Sequence, residues 1–176
     1  RIDVAHGMSK PADLPDMDPR AMYNVVEHAT YTDPRLNHEG VFELHEGIRR
    51  VLDEYPGTAA IGEVWTFDDE QMGQYIAPGR LHLGFNFRLA LTDFDADQLR
   101  SAIDRSLAVP LRVGAPPTWT LSNHDVWRQV SRYGDGEVGL ARARAMALVE
   151  LALPGVVYLY NGEELGLPNG PLTEEQ

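Results

Sequence analysis

Five short apolar or β-branched runs punctuate the chain, at Ile2–Ala5, Ala59–Trp65, Leu81–Leu89, Thr118–Leu121 and Gly155–Tyr160. Several are continuously apolar rather than alternating. That pattern suits parallel strands covered on both faces. Between them the period changes to that of a helix. Val41, Leu44, Ile48, Val51, Leu52 and Tyr55 fall on one stripe that Pro56-Gly57 ends, so a helix is expected over 41–55. A shorter one is expected from Asp68 to Ile76, stopped by Pro78-Gly79. Leu99, Ile103 and Leu107 repeat every four residues, so a third helix is expected from Asp95 to Leu107. Asp95 with Gln98 resembles a capping box at its start. An alanine- and leucine-rich segment from Leu140 to Leu153 predicts a fourth, closed by Pro154-Gly155.

Strand and helix therefore alternate, and this order predicts an α/β fold with a parallel sheet and right-handed crossovers. One stretch breaks the rhythm. Gly7 to His38 carries Pro11, Pro15, Pro19 and Pro34 among many aspartates and is too long for a plain connection.

Composition removes several function classes. The 176 residues hold 27 acidic against 15 basic side chains, for a formal net charge of −12. Such a chain repels phosphate backbones and anionic headgroups, so neither nucleic acid nor a membrane is an expected partner. No apolar run approaches the length of a membrane span. With no cysteine there is no disulfide, thiolate nucleophile or cysteine-held metal.

Three of the strand-like runs hold or lead into acidic residues: Asp3 in the first, Glu63 in the second, and Asp125 after the fourth. In parallel α/β folds the carboxyl ends of strands form the ligand face, so three carboxylates delivered there can share a pocket. Taken singly, each aspartate at a strand end is more ordinarily a cap or loop residue. Arg1 lies two residues before Asp3, on the same face of a strand, and would favour an ionised Asp3. Trp65 lies two residues after Glu63, and an indole there is expected to favour the protonated acid. One charged and one neutral carboxyl is the division of labour in glycoside hydrolysis.

Four segments carry a family likeness. Arg1-Ile2-Asp3-Val4-Ala5-His6-Gly7, Gly62-Glu63-Val64-Trp65 and Leu121-Ser122-Asn123-His124-Asp125 resemble, in order and approximate separation, three conserved regions of the α-amylase family, glycoside hydrolase family 13. The segment from Gly155 to Pro168 resembles the eighth barrel strand and following loop of its α-glucosidase and oligo-1,6-glucosidase branch.

The resemblance implies a role for each matching residue. Asp3 matches the nucleophile, Glu63 the general acid/base and Asp125 the transition-state stabiliser. Arg1 matches the arginine beside the nucleophile, His124 a sugar-binding histidine and Arg128 an arginine near the sugar. The implied activity is a retaining α-glucosidase acting on α-glucosidic oligosaccharides, without metal, redox or organic cofactor. The implied fold is a partial (β/α)8 barrel, holding about the fourth to eighth strands over residues 1–176. The chain begins at Arg1 inside an apolar run, and is expected to be the C-terminal portion of a longer catalytic domain. It would then be inactive alone, pairing with the missing half-barrel or with a second copy. A cytoplasmic location is the accompanying expectation. A non-catalytic carbohydrate-binding protein on the same scaffold is the alternative, and a free-standing flavodoxin-like domain is a third reading.

Smaller signals point elsewhere. Val4, after the matching nucleophile, hints at α-1,6 preference within the resemblance, or is a core strand residue. Gly134 to Gly139 fits G-x-G-x-x-G, but no buried strand precedes it and Asp135 and Glu137 would repel a pyrophosphate, so a loop entering a helix is expected. His38-Glu39 and His45-Glu46 lack metal-site spacing and read as a solvated helix face. His6 is divided between a pocket rim and a loop role. Phe85, Phe87, Trp65 and Trp127 could stack on sugar rings, with core packing expected for at least one of the phenylalanines.

Overall fold

Residues 1–16, 33–66 and 68–170 are described in a computed structural model of the protein. The chain divides into two compact units. The first comprises Arg1–Phe85 and Leu107–Pro117; the second, Asn86–Ser106 and Thr118–Gln176.

In the first unit, strand β1 (Ile61–Gly62) pairs in parallel with β2 (Leu83–Gly84). Ile2 adds a parallel bridge to Gly62 on the other side of β1. Its N–H donates to the Ile61 carbonyl at 2.8 Å, and the Glu63 N–H donates back to the Ile2 carbonyl at 2.9 Å. Two helices are built on this core, α1 (Gly40–Asp53) and α2 (Asp69–Tyr75). The Asp68 side chain caps α2 by accepting the Gln71 N–H at 2.8 Å. Ala5, Val41, Ala60, Val64, Tyr75 and Leu81 form the buried cluster, with Ile2, Phe42, Leu52 and Met72 packed on it.

The second unit holds the parallel pair β3 (Thr118–Trp119) and β4 (Val156–Val157). Its helices are the short α3 (Arg88–Leu91) and α5 (Gln129–Arg132) and the long α6 (Gly136–Ala152). Helix α4 (Ala96–Val113) contributes residues to both units. The Trp119 indole is buried and donates to the Pro154 carbonyl at 2.8 Å, fixing the approach to β4.

Parallel pairing of strands from separated segments bears out the α/β reading. The strands are far shorter than their apolar runs, and among the described residues they form two-stranded sheets, not a five-stranded flavodoxin-like one. Helix α4 runs past the expected stop at Leu107, through Pro110, to Val113. The side-chain half of the expected cap is present, since Asp95 Oδ1 accepts the Gln98 N–H at 2.9 Å. The reciprocal half is not, because the Asp95 N–H goes to the Asp93 carbonyl. Much of the proline-rich segment, including His28, lies outside the described residues.

The G-x-G-x-x-G stretch does lead into a helix, and its third glycine has a packing function. A Cβ on Gly139 would stand 2.2 Å from the Val130 carbonyl oxygen, so only glycine lets α6 lie this close to α5.

Candidate active site

The first group of candidate residues sits at the ends of Ile2 and β1. Gly62 brings Glu63 into place: a Cβ there would meet Leu81 at 2.5 Å and Ala5 at 3.0 Å, so a larger residue would push β1 away from its neighbours. Glu63 follows, its side chain 4% exposed, whereas Asp3 is 75% exposed. One nitrogen of Arg1, Nη2, donates to Asp3 Oδ1 at 2.9 Å and to Glu63 Oε2 at 2.7 Å. Arg1 and Asp3 thus meet, although Asp3 lies in a turn and not in a strand, and Arg1 reaches Glu63 as well. The guanidinium lies 5.6 Å from the Phe85 ring centre, so this ring sits beneath the cation. Phe87 is core.

The protonation of Glu63 differs from the sequence expectation. Burial alone pushes its carboxyl up, but hydrogen bonding to Asp3, Arg1 and Trp65 and the Arg1 charge outweigh this and hold it below the ordinary carboxylate range. The Trp65 indole N–H donates to Glu63 Oε1 at 3.2 Å. It stabilises the ionised form rather than the acid, because a donor aimed at the oxygen outweighs the apolar ring around it.

Asp3 leads into a strained turn. Val4 adopts φ 43°, ψ 46° and is 46% exposed, so it is no core strand residue. The left-handed conformation costs a β-branched residue about 1–2 kcal/mol. The surroundings enforce it. The Gly7 N–H closes the turn onto the Val4 carbonyl at 2.8 Å, and the Ala5 N–H binds the Glu63 carbonyl at 2.9 Å.

Two buried histidines hold this turn from below. His6 Nδ1 donates to the Glu63 carbonyl at 3.2 Å, and His45 Nε2 donates to the Ala5 carbonyl at 3.1 Å. Burial lowers both histidines' pKa, more than these hydrogen bonds raise it. His6 is buried in a short 3-10 turn, Ala5–Gly7. His45 corrects the solvated-face reading, because it is 1% exposed and sits under the Asp3 turn. His38 accepts the Gly40 N–H at 3.2 Å. Among the described residues no cluster of three or more His, Cys, Asp or Glu could hold a metal ion. Nor is any helix there long and apolar enough to cross a membrane.

The second group lies in the second unit, on the loop after β3. Asn123 Oδ1 accepts the N–H groups of Asp125 at 2.9 Å and Val126 at 3.0 Å, which turns the chain sharply. His124 Nε2 lies 3.3 Å from Asp125 Oδ2, and both side chains are about half exposed. Trp127 is 61% exposed. Arg128 donates from its backbone to Asn169 Oδ1 and from Nη1 to the Asn161 carbonyl, each at 2.9 Å, and stacks 4.6 Å from the Tyr160 ring centre. The structure thus assembles Arg1, Asp3 and Glu63 in one unit, and His124, Asp125 and Arg128 along one loop of the other.

Two carboxyls were not singled out by sequence reasoning. Glu150 on α6 is fully buried, with both oxygens unpartnered among the described residues, and burial with the nearby Glu163 pushes it up to about 8. Glu163 is raised chiefly by burial. The spacing of Gly139, Ala143, Met146 and Glu150, all buried on one stripe of α6, was the available signal for Glu150.

Parallel strand pairs with carboxylates at their ends define a class: α/β proteins with an acidic site on the strand-end face. Within it, this chain belongs to the α-amylase catalytic-domain family, glycoside hydrolase family 13, whose model matches residues 1–176. A probable α-glucosidase of Rhizobium meliloti is 34% identical over 157 residues, covering 87% of this chain and 28% of that protein. An oligo-1,6-glucosidase of Heyndrickxia coagulans is 30% identical over 194 residues, covering 100% of this chain and 34% of that protein. Among solved structures, the α-glucosyl transfer enzyme XgtA matches with TM-score 0.75 at 28% identity, over 98% of this chain and 34% of that one. The trehalose-6-phosphate hydrolase of Bacillus licheniformis matches with TM-score 0.74 at 26% identity, over 96% and 31%. The chain spans about a third of the length of the curated relatives it matches.

Proposed function

We propose that this chain supplies the catalytic carboxylates of a retaining α-glucosidase, as the fourth-to-eighth-strand portion of an amylase-type barrel. The observation that carries the reading is the single Arg1 nitrogen bound to both Asp3 and Glu63. Two oxygens sharing one donor are closer together than the roughly 6.5–9.5 Å an inverting pair needs to admit water. The names of the relatives, α-glucosidase and oligo-1,6-glucosidase, support the substrate class.

In this reading Asp3 attacks the anomeric carbon and Glu63 protonates the leaving glycosidic oxygen. Glu63, now ionised, takes a proton from water, which hydrolyses the glycosyl ester on Asp3. Asp3 is suited to attack by its exposure and by the guanidinium beside it. Glu63 must bind a proton before the first step, and an arriving sugar that displaces Arg1 from Glu63 would favour this. Asp125 and His124 hold sugar hydroxyls, and Arg128 adds a further donor.

The test is turnover of p-nitrophenyl α-glucoside by the full-length protein that contains this chain. Asp3→Asn should abolish hydrolysis while leaving sugar binding intact. A full-length protein that binds sugars but hydrolyses no α-glucoside would overturn the reading and favour a carbohydrate-binding scaffold.

A further inference from the structure

The loop carrying His124 and Asp125 is not held by those side chains, which are about half exposed and contact each other. Its anchors lie earlier, at Ser122 and Asn123. Ser122 is 1% exposed, and its hydroxyl meets Glu163 Oε1 across 41 residues of sequence. The other oxygen of Glu163 accepts the Tyr160 N–H at 3.0 Å, while the Glu163 N–H donates to the Tyr160 carbonyl at 2.9 Å. Tyr160 is the ring on which Arg128 stacks, and Asn161 supplies the carbonyl that Arg128 binds. A serine hydroxyl has one hydrogen to give. The Ser122 hydroxyl oxygen also lies 3.0 Å from Gln129 Oε1, so the one hydrogen is contested between that oxygen and the nearer Glu163 Oε1.

We propose that Glu163 is a positioning residue, a brace whose two carboxyl oxygens tie the loop bearing His124 and Asp125 to the turn that seats Arg128. Its bearing on turnover rests on the α-glucosidase reading; its bearing on loop order does not. Neither group that Glu163 binds belongs to a residue given a catalytic or sugar-binding role, so the brace acts entirely through the backbone. Three further groups bear on it electrostatically. Arg128 and Arg132 favour its ionised form, and Glu150 on α6 lies close enough for the two carboxyls to oppose each other's ionisation.

The experiment compares the full-length protein with its Ser122→Ala, Glu163→Ala, Glu163→Gln and Ser122→Ala/Glu163→Ala variants. Amide hydrogen exchange over residues 121–128 should accelerate in Ser122→Ala and Glu163→Ala, with that over 158–163 accelerating only when Glu163 is changed. On p-nitrophenyl α-glucoside, kcat should fall ~10–100-fold in Glu163→Ala with KM moving less than ~3-fold, as expected when groups are misplaced rather than lost. The double variant should be no slower than Glu163→Ala, because both changes cut one link. Glu163→Gln keeps an acceptor for Ser122 and should recover part of the lost kcat. If Glu163→Ala does not fold, Ser122→Ala, which removes one oxygen, carries the comparison.

Unchanged exchange over 121–128 in a folded variant overturns the brace. So does an unchanged kcat in Glu163→Ala, or losses that add in the double variant. If the parent protein turns over no α-glucoside, the functional reading falls, and exchange alone still decides the brace.

Discussion

The indole N–H of Trp65 points at Oε1 of Glu63, 3.2 Å away. This bond, with those involving Asp3 and Arg1, outweighs the upward push of burial and lowers the Glu63 pKa. Trp65→Phe keeps an aromatic ring and deletes the donor. In the proposed mechanism Glu63 must be protonated for the first step, so the alkaline limb of kcat/KM reports its pKa. That limb should move to higher pH in Trp65→Phe, read from a pH–rate profile. A limb that stays or moves down would show that the indole does not tune this carboxyl.

The histidines beneath the Asp3 turn make stability pH-dependent. His45 donates through Nε2 to Ala5, and its Nδ1 is buried without a partner among the described residues. A proton there would create an N–H with no acceptor. Both His6 and His45 have folded pKa values below the ordinary 6.5, so the unfolded chain binds more protons as pH falls through that value. Their contribution is therefore lost below pH 6.5, at no more than about 1.4 kcal/mol per pH unit for each histidine. Urea melts between pH 7.5 and 5 should show the loss, and His45→Gln should reduce its slope.

Glu150 works in the opposite direction. Its folded pKa is raised from 4.5 to about 8, so the neutral form is favoured on folding. The penalty is absent below pH 4.5 and grows as pH rises toward 8, where the unfolded chain is ionised and the folded one resists ionisation. Glu150→Leu should raise the melting temperature at pH 8, with an advantage that shrinks toward pH 4.5. A pH-independent difference would mean that Glu150 does not titrate in this way.

Two glycines in helices should behave oppositely. Gly139→Ala forces a Cβ onto the Val130 carbonyl, and should cost about 1–3 kcal/mol or more by overpacking. Gly47→Ala in α1 meets only the far end of Arg50 at 3.7 Å, and should stabilise by about 1 kcal/mol through helix propensity. Chemical denaturation of both variants separates a packing glycine from an incidental one.

Among the described residues the four strands all fall within the apolar runs, whereas the first run gives only the bridge from Ile2 to Gly62. The runs overstated strand length because ladder bonding occupies little of each run. In Leu81–Leu89 the pairing covers Leu83 and Gly84, and Phe85 still donates to the Gly62 carbonyl. Then the Asn86 side chain accepts the Arg88 N–H and turns the chain into α3. The four-residue apolar repeat that predicted α4 ends at Leu107, short of the helix end at Val113. The helix continues because Val109 is buried, and Val113 reaches Gly73. In the candidate site, the two-residue spacing of Arg1 and Asp3 made their pairing legible. The Arg1–Glu63 bond spans 62 residues, and no local pattern encodes it. The sense of Trp65's influence was hidden too, since sequence places an indole near a carboxyl but does not say whether its ring or its N–H faces the oxygen.

A cation divided between two anions answers to the state of each. Once Asp3 is esterified in the proposed first step, it no longer competes for Arg1, and the guanidinium's whole attraction is available to Glu63. Glu63 has by then released its proton and must stay bare to draw one from water. Forming the bond on one carboxylate would thus ready the other for breaking it, as Arg1, displaced when the sugar arrived, comes back to Glu63.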